Sequence, residues 1–337
     1  MISRLNHPQP LSLNEMDTKK YKIGTLASHS ALTILSGARD EGFDTVLFTT
    51  KDRLEFYKSF DLATEIVVLE NFKDILNHVD SSTIIIPHGS FVAYVPLDEI
   101  LSTSVPIYGT KSLLKWEADR RLKDSLMQDA ELLLPAHYES IDDAKFPVIV
   151  KYDGADGGKG YFIAYNKDDY LERIKNDKPS FIQEFIVGTK VFTTLFHSII
   201  RNRLEIFGTD IRYETDADAQ FNDPSNPSFN VVGNLPMVLR ESLLINYYEM
   251  GKKFVKKVHE TLKEPMIGPF CLETVIDRNM KIYTFEFSGR IVAGTNIFVP
   301  SSPYAYSQFG VHMSMGRRIA LEIKEAIQQD RLKEIIL

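Results

Sequence analysis

The sequence has very little cysteine and no long hydrophobic run. Cys271 is the single cysteine in 337 residues, which excludes an intrachain disulfide and a metal site built from several cysteines. No segment approaches about 18 uninterrupted apolar residues, the length that a membrane-spanning helix needs. Residues 1–20 lack the apolar stretch of a signal peptide. We therefore expect a cytoplasmic protein that makes no contact with a membrane.

An excess of positive charge is also missing. The formal net charge is −7 at pH 7, so the chain has no overall electrostatic attraction for nucleic acid, and we expect no nucleic-acid partner. Hydrophobic residues make up 44% and charged residues 25% of the chain, which is typical of a globular protein. A length of 337 residues allows two or three domains with a large buried core.

The first third of the chain alternates short apolar strands with helices. Strands are predicted over 21–26, 45–50, 65–69 and 83–87, and helices over 29–40 and 72–79. Buried strands that alternate with helices are typical of a parallel sheet covered on both faces. Ligands of such sheets bind at the carboxyl ends of the strands, where the polar segments 27–30 and 88–91 follow the first and fourth strands.

Longer strands and hairpins replace this pattern after about residue 146. A helical stretch over 111–133 connects the two parts. The polar segment 214–228 is rich in proline and asparagine and predicts a long loop. The sequence therefore predicts a parallel α/β domain followed by an α+β region.

Two glutamates face each other across a predicted β-hairpin near the C-terminus. Strands over 268–277 and 281–290, with a turn at 279–280, place Glu273 directly opposite Glu286 with Cβ atoms about 5 Å apart. Like charges in such positions are destabilising unless a cation neutralises them. A magnesium ion is one explanation, because it prefers carboxylate and phosphate oxygens. Solvated residues at the rim of a half-exposed hairpin are the other.

The two faces of this hairpin differ in character. The polar face continues through Ser288 to Arg290, whose planar guanidinium suits phosphate oxygens; a salt bridge at the hairpin end is the alternative. The other face is predicted to be the core side, and it comprises Leu272, Thr274, Ile276, Tyr283, Phe285 and Phe287. The polar face thus has the character of the phosphate end of a nucleotide site.

A glycine-rich loop over 152–160 joins two further predicted strands. Lys151 ends the first strand, and Gly157, Gly158 and Lys159 lie in the loop. The spacing is not that of a Walker loop, but it suits a flap whose backbone amides and lysines bind phosphates. A plain hairpin loop that uses glycine for positive φ angles is the alternative.

A hinge is predicted where the apolar strand 180–188 leads toward the next part of the chain. It contains Gln183, Glu184, Phe185 and Ile186, whose backbone groups can bind the edge of an adenine ring. This signal is weak alone. Its value lies in the order of the elements: a lysine strand, a glycine flap, the hinge and then the paired glutamates.

That order resembles the ATP-grasp superfamily, which joins carboxylates to amines through acyl phosphates. Local strings give a closer match: TLASHSAL (25–32), IPHGSFVAYV (86–95), LLKWEADRRL (113–122), VKYDGADGGKGYFIA (150–164), VVGNLPMVLRESLL (231–244), MIGPFCLET (266–274) and EFSGRIVAGTN (286–296). Together they resemble the archaeal 5-formaminoimidazole-4-carboxamide ribonucleotide synthetases of purine biosynthesis. The resemblance extends over about residues 21–325.

The resemblance implies an activity and a fold. This family condenses formate with the 5-amino group of 5-aminoimidazole-4-carboxamide ribonucleotide (AICAR), using ATP with Mg²⁺ or Mn²⁺ and releasing ADP and phosphate. It implies a symmetric homo-oligomer and a Rossmann-like α/β domain followed by a two-subdomain ATP-grasp fold. The implied bounds are an arm over 1–20, the Rossmann-like domain over 21–125, and ATP-grasp subdomains over 126–185 and 186–337.

The resemblance also implies roles for particular residues. The implied ribonucleotide ligands are His29, Ser90 and Asn234, the metal ligands are Glu273 and Glu286, and the catalytic cations are Arg290 and Lys151. The implied ATP ligands are Lys151, Gly157, Gly158, Lys159, Gln183, Glu184, Phe185 and Ile186. No acidic residue for the ATP ribose is evident directly after the hinge, and Glu205 is the candidate for that role.

The sequence departs from the family pattern at two positions. Ser288 stands where the superfamily usually has an asparagine beside the metal, so we expect the metal to depend more on water and phosphate oxygens. Gly289 stands where alanine is expected.

Three other functions remain open at this point. An ATP-grasp ligase for another amine or carboxylate would share the nucleotide half, so only His29, Ser90 and Asn234 discriminate against it. A nucleotide-binding regulator without turnover would not need the metal pair or Arg290. A nicotinamide-dependent enzyme is disfavoured because residues 25–30 lack the G-x-G-x-x-G pattern.

Overall fold

The computed structural model of the chain describes residues 18–152, 161–174, 181–215, 230–298 and 302–336. The strands in these ranges form three sheets, one parallel and two antiparallel. No helix in these ranges is both long enough and apolar enough to span a membrane. The predicted combination of an α/β part with α+β parts is confirmed.

The first sheet is parallel, as predicted. Its strands are β1 (Lys22–Leu26), β2 (Asp44–Thr50), β3 (Glu65–Leu69) and β4 (Thr83–Ile85). They lie in the order β3-β2-β1-β4, and all three contacts are parallel. Residues that follow β1 and β4 therefore meet at one edge of the sheet, where ligands of such sheets bind.

Helix α1 (Ala31–Asp40) follows β1 and begins later than predicted. His29 has a φ of 53°, a left-handed conformation that cannot belong to the helix. The remaining helices are α2 (Leu54–Lys58), α3 (Gly89–Tyr94), α4 (Leu97–Ser102), α5 (Leu113–Ala118), α6 (Arg120–Asp129), α7 (Lys167–Arg173), α8 (Glu241–Leu262), α9 (Pro303–Phe309) and α10 (Met315–Gln328). The helix predicted over 72–79 is a 3₁₀ helix, Phe72–His78.

The helical stretch predicted over 111–133 is divided into α5 and α6. Asp119 stands between them in an extended conformation, and its carboxylate accepts hydrogen bonds from the backbone N–H groups of Arg121 and Leu122 at 2.9 and 3.0 Å. Aspartate is a strong N-cap because it satisfies these otherwise unpaired N–H groups. The cap therefore starts a new helix with a different direction.

The second sheet is antiparallel and belongs to the predicted nucleotide-binding region. Its strands are β5 (His137–Tyr138), β6 (Val148–Lys151), β7 (Tyr161–Ala164) and β8 (Phe181–Glu184), in the order β5-β8-β6-β7. The glycine-rich loop between β6 and β7, with Gly157, Gly158 and Lys159, lies outside the described residues. Most of the predicted loop over 214–228 also lies outside them.

The third sheet is antiparallel and has five strands. They are β9 (Gly188–Ser198), β10 (Arg203–Glu214), β11 (Val231–Met237), β12 (Gly268–Asp277) and β13 (Ile282–Ser288), in the order β11-β10-β9-β12-β13. Glu273 pairs directly with Glu286. The predicted hairpin register is therefore confirmed at the acidic pair.

Part of the predicted core face of this hairpin is wrong. The register shifts between Glu273 and Thr274, so that Val275 pairs with Tyr283 instead of Thr284. A shift of one residue moves side chains to the opposite face. Tyr283 and Phe285 consequently lie on the face of Glu273, and Phe285 packs edge-on against Phe192 at 6.2 Å between ring centroids.

The apolar face of this sheet is covered by helix α8. Phe254 of α8 lies against Phe270 and Phe287, with ring centroids 5.3 and 4.9 Å apart. Leu272 belongs to the same buried cluster, which confirms the core side predicted for Leu272 and Phe287. The opposite face is therefore free to hold polar side chains.

Two glycines allow the N-terminal domain to lie against the C-terminal helix. Gly37 of α1 and Gly316 of α10 lie at the crossing point, and a Cβ atom on Gly316 would overlap the carbonyl oxygen of Thr33. A Cβ atom on Gly37 would overlap the backbone of α10. This close approach places the start of α1, and His29 just before it, beside the third sheet.

The substitution Gly316→Ala tests this contact. Alanine normally stabilises a helix by about 1 kcal/mol relative to glycine. Here we expect a loss of about 1–3 kcal/mol or more in the free energy of unfolding, because the methyl group overpacks the crossing. Urea denaturation measures the change. Gly233→Ala is the control, since a Cβ built there has no atom of a described residue within 4 Å apart from its chain neighbours. An unchanged or higher midpoint for Gly316→Ala would contradict the packing.

Candidate active site

A row of directly paired residues crosses the polar face of the third sheet. From β11 to β13 the row is Pro236, Asp210, Phe192, Glu273 and Glu286. Directly paired residues in antiparallel strands point to the same face. Three carboxylates therefore project from this face in one line.

Two cationic side chains neutralise the acidic pair. Arg212 donates two hydrogen bonds to the Glu273 carboxylate, at 2.8 and 2.9 Å, and Ser288 donates a third at 3.1 Å. Lys123 of α6 donates to Glu286. The like charges therefore have protein counter-ions, which the sequence analysis did not identify.

These contacts also set the charge states. Burial raises the pKa of Glu286, but Lys123, Lys151 and Arg212 outweigh it, so its pKa is lowered and it is a carboxylate at neutral pH. The Arg212 guanidinium lies 3.9 Å from the centre of the Phe192 ring. Burial lowers the pKa of Arg212, but the carboxylate of Glu273 raises it by more. The net pKa is therefore raised, and the arginine remains charged.

The acidic pair has a donor set that fits a divalent cation. Within the described ranges, no group of three or more His, Cys, Asp or Glu side chains could hold a metal by itself. Glu273 and Glu286 nevertheless form an adjacent pair of carboxylates. The Glu286 side chain is 44% exposed, whereas the Glu273 side chain is 4% exposed and both of its oxygens accept from Arg212. Mg²⁺ is commonly bound by one or two carboxylates, with phosphate and water oxygens as the other ligands. Glu286 is therefore suited to hold Mg²⁺ together with a nucleotide, and Glu273 would join it where the ion replaces a hydrogen bond from Arg212.

Arg290 is held in place by Glu117 of α5. The distance from Arg290 Nη2 to Glu117 Oε1 is 2.8 Å, and the backbone N–H of Gly289 donates to Glu117 Oε2 at 2.8 Å. Arg290 Nη1 donates to the Ile291 carbonyl at 3.2 Å, while its buried Nε–H group has no hydrogen-bond partner among the described residues. Arg290 is thus a fixed cation with an N–H group that these residues leave unpaired.

His29 and Ser90 meet at the carboxyl edge of the first sheet, as predicted. The rings of His29 and His88 stack with centroids 5.2 Å apart, and Ser90 donates to the hydroxyl of Ser28 at 2.9 Å. Loss of solvent around its ring lowers the pKa of His29, and the neighbouring His88, Arg290 and Arg212 lower it further. The imidazole is therefore neutral at pH 7.

The segment after β13 joins this edge to the third sheet. Asn296 donates to the backbone carbonyl of His29 at 3.0 Å, and Gly294 lies directly against the carboxylate of Asp210. Asn234 in turn donates to Asp210 Oδ2 at 3.0 Å. The structure thus brings His29, Ser90 and Asn234, predicted from distant parts of the sequence, to one surface together with Arg290.

Lys151 lies at the end of β6, next to the acidic pair. Its ammonium donates to Gln183 Oε1 at 2.8 Å, and the Gln183 amide contacts His137 Nε2 at 3.0 Å. Burial and Arg120 lower the pKa of Lys151 to about 8, against the opposing effect of Glu286. Lys151 and Gln183 therefore lie in one hydrogen-bonded chain.

The remaining hinge residues lie at the end of β8 and directly after it. The Glu184 carboxylate accepts from the backbone N–H of Ala136 at 3.3 Å, and the backbone N–H of Phe185 donates to the carbonyl of Pro147 at 3.0 Å. Ile186 is partly buried. Their contact with adenine stays a prediction.

The structure does not bring Glu205 to the other predicted residues. Glu205 is only 1% exposed, and Arg318 of α10 donates to both of its oxygens at 2.8 and 3.1 Å. Glu205 lies on the polar face, but it pairs with Phe196 of β9, whereas Asp210 pairs with Phe192, four residues away. Helix α10 covers it there, so this carboxylate stabilises the fold and is not available to a ribose.

Comparison with known proteins identifies the family. A domain of unknown function, DUF1297, matches residues 166–337, and a protein of unknown function, DUF1246, matches residues 23–138. A 5-formaminoimidazole-4-carboxamide-1-(beta)-D-ribofuranosyl 5'-monophosphate synthetase from Ignicoccus hospitalis is 45% identical over 96% of this chain and 98% of its own length. A synthetase of the same name from Sulfurisphaera tokodaii is 42% identical over 93% and 98%. The chain belongs to this synthetase family.

Solved structures agree with membership of the synthetase family. An IMP biosynthesis protein, PurP, from Thermococcus kodakaraensis matches 94% of this chain and 100% of its own, with 32% identity and a TM-score of 0.80. An N5-carboxyaminoimidazole synthetase from Staphylococcus aureus matches 89% of this chain and 79% of its own at 15% identity, with a TM-score of 0.65. The second likeness concerns the fold alone. Both agree with the ATP-grasp architecture predicted from the sequence.

Sequence reasoning on the synthetase missed four charged residues of the site. Arg212, Lys123, Glu117 and Asp210 contact the predicted residues. Glu117 lies in the string 113–122 that supported the resemblance, but no role was assigned to it, and the other three residues lie outside those strings. The alternation of β10 offered one signal, since Asp210 and Arg212 share the polar face with Asn234. Lys123 and Glu117 gave no comparable signal because they lie on helices.

The pKa of Lys151 can be measured by labelling lysines with [¹³C]methyl groups and recording NMR spectra against pH. We expect the Lys151 signal to titrate near pH 8, because burial and Arg120 disfavour its charged form. In the Glu286→Gln variant the pKa should fall further, since a negative neighbour is removed. Lys151→Met identifies the signal by its loss. A midpoint near 10.4, the value of an unperturbed lysine, would contradict the environment described.

Proposed function

We propose that this chain catalyses the ATP- and formate-dependent formylation of AICAR in IMP biosynthesis, giving the 5-formamido product, ADP and phosphate. One observation supports this most directly. Arg290 lies between the two halves of the site, because its Cζ atom is 3.6 Å from a Cβ built at Gly89 and it follows the end of β13, the strand of Glu286, by two residues. The groups suited to a ribonucleotide and those suited to nucleotide phosphates thus share one surface, in a chain 45% identical to a named synthetase.

Formate must be activated before an amine can attack it. As an anion it is a poor electrophile, and transfer of the terminal phosphoryl group of ATP to one formate oxygen gives formyl phosphate. Negative charge spreads over the phosphoryl oxygens during the transfer, and fixed cations stabilise it. Arg290, held by Glu117, and Lys151, held by Gln183, are suited to this role because neither must be reoriented.

Glu273 and Glu286 would hold the Mg²⁺ that accompanies ATP. The ion supplies positive charge to the phosphate oxygens when it is bound. Arg212 and Lys123 hold the two carboxylates in position. Ser288 donates to Glu273, which is consistent with the expectation that this position leaves more of the metal ligands to water and phosphate.

The second half of the reaction is attack by the 5-amino group of AICAR. The amine nitrogen forms a bond to the formyl carbon, the bond from that carbon to the phosphate oxygen breaks, and the nitrogen loses one proton. His29, Ser90 and Asn234 would hold the ribonucleotide during this step. Neutral imidazole, hydroxyl and amide groups are suited to phosphate or sugar oxygens and to a carboxamide.

Release of ADP from purified protein tests the function. With ATP and Mg²⁺ present, we expect ADP only when formate and AICAR are both supplied, together with a formylated product detected by mass. Release with another carboxylate in place of formate would indicate a different ligase. Binding of AICAR without turnover would indicate a regulator. Either result would contradict the proposal, whereas a homo-oligomeric state and a cytoplasmic location stay predictions that this assay does not address.

The substitution Arg290→Lys tests the fixed cation. Lysine keeps the charge but not the planar fork that binds two oxygens. We expect kcat to fall about 100-fold or more, the size of effect seen when one preorganised donor to the transition state is removed. Arg240→Lys, at an exposed position where α8 begins, is the control and should leave kcat unchanged. A kcat for Arg290→Lys within about twofold of the wild type would exclude this role.

A further inference from the structure

Asp210 is a buried carboxylate that the proposed chemistry does not use. It lies on β10 in the row that contains the acidic pair, and it is 1% exposed. Its Oδ2 accepts a hydrogen bond from Asn234, while its buried Oδ1 has no partner within the described part of the chain. The neighbouring Arg212 gives its guanidinium to Glu273 instead. Burying a carboxylate with so few partners costs stability, so a function is expected for it.

An ionised carboxylate fixes the orientation of an amide that contacts it. A carboxylate can only accept hydrogen bonds, whereas an asparagine amide has a donating nitrogen and an accepting oxygen. Asn234 must therefore turn its Nδ2 toward Asp210, as the 3.0 Å contact shows. Its Oδ1 is left for a ligand. Asn234 is paired with Arg212 on the sheet and is only partly buried, so a ligand can reach it.

We propose that Asp210 is a positioning residue, which orients Asn234 so that its Oδ1 accepts a hydrogen bond from the ribonucleotide. This inference rests on the proposed function, because it takes Asn234 as a ribonucleotide ligand. The ligand group at this place is a neutral donor, that is, a sugar hydroxyl or an amide N–H.

A second group of the same character supports this polarity. Asn296 donates through Nδ2 to the His29 carbonyl, and its buried Oδ1 has no partner among the residues that the structure describes. Gly294, two residues earlier, lies against Asp210. The segment after β13 therefore carries one acceptor without such a partner, on Asn296, and contacts a second, on Asp210. Arg290 begins this segment and offers an unpartnered donor, Nε–H. The site thus offers acceptors near Asp210 and a donor for anions at Arg290.

A double-mutant cycle with Asp210→Asn and Asn234→Ala tests the proposal. An asparagine at 210 can accept or donate, so it no longer fixes the neighbouring amide. We expect each single substitution to raise the KM for AICAR about 10-fold or more, with kcat and the KM values for ATP and formate within about twofold of the wild type. Because Asp210 acts through Asn234, the double variant should have the KM of Asn234→Ala alone. Asp98→Asn, exposed on α4, is the control.

Two results would overturn the inference. The first is an unchanged KM for AICAR in Asp210→Asn. The second is a double variant whose KM increase is the product of the two single increases, which would mean that Asp210 acts independently of Asn234. If Asp210→Asn does not fold, Asn234→Asp examines the same bond from the other side and should also raise the KM for AICAR, whereas an unchanged value would overturn the inference. Wild-type protein that does not formylate AICAR would refute the proposed function instead, so the two failures are distinguishable.

Discussion

The charge balance of the acidic pair on β12 and β13 is the constraint on which the site depends. Two carboxylates that face each other directly would be destabilising by themselves. Arg212 from β10 and Lys123 from α6 neutralise them, so the pair connects β10, β12 and β13 of the third sheet with the helix that precedes the second sheet. Removing either cation would leave a carboxylate without its counter-ion, and such losses cost more than the ion pair itself contributes. Lys123, together with Lys151 and Arg212, lowers the pKa of Glu286 despite its burial, so Glu286 is a carboxylate at neutral pH, the state that a divalent cation needs.

The other functional groups of the site are arranged in a similar way, because each of them is held by a second residue. Glu117 holds Arg290, Gln183 holds Lys151, and Asp210 orients Asn234. Groups that are fixed before the substrates arrive need no reorganisation during the reaction, and electrostatic stabilisation of this kind is often the largest contribution to catalysis. The buried contact between α1 and α10 places the ribonucleotide residues against this arrangement. The polar face of one sheet and the carboxyl edge of another thereby form a single surface.

The sequence predicted those features that depend on short-range patterns. The parallel sheet follows from buried strands that alternate with helices. The pairing of Glu273 with Glu286 was predicted from a hairpin centred on 279–280, but near the turn the observed register differs by one residue, and the shift beside Glu273 restores the predicted pairing. The shift beside Glu273, which moves Phe285 to the polar face, has no local signature, because a single extra residue leaves the alternation of the rest intact. Arg212 was missed because it comes from a strand 61 positions away from Glu273. Glu205 was a plausible ribose ligand by type and position, but the burial that excludes it depends on a helix more than a hundred residues later.

The central claim is that formate is activated as formyl phosphate before the amine attacks it. The most direct measurement uses formate labelled with ¹⁸O at both oxygens, in a reaction with ATP and AICAR, followed by mass analysis of the products. The account predicts one ¹⁸O atom in each phosphate released and one in the formyl group of the product, because the bond that breaks joins the formyl carbon to a former formate oxygen. Phosphate without ¹⁸O would mean that ATP is hydrolysed by water and that formate is not phosphorylated. That result would contradict the proposed chemistry even if formylated product were formed.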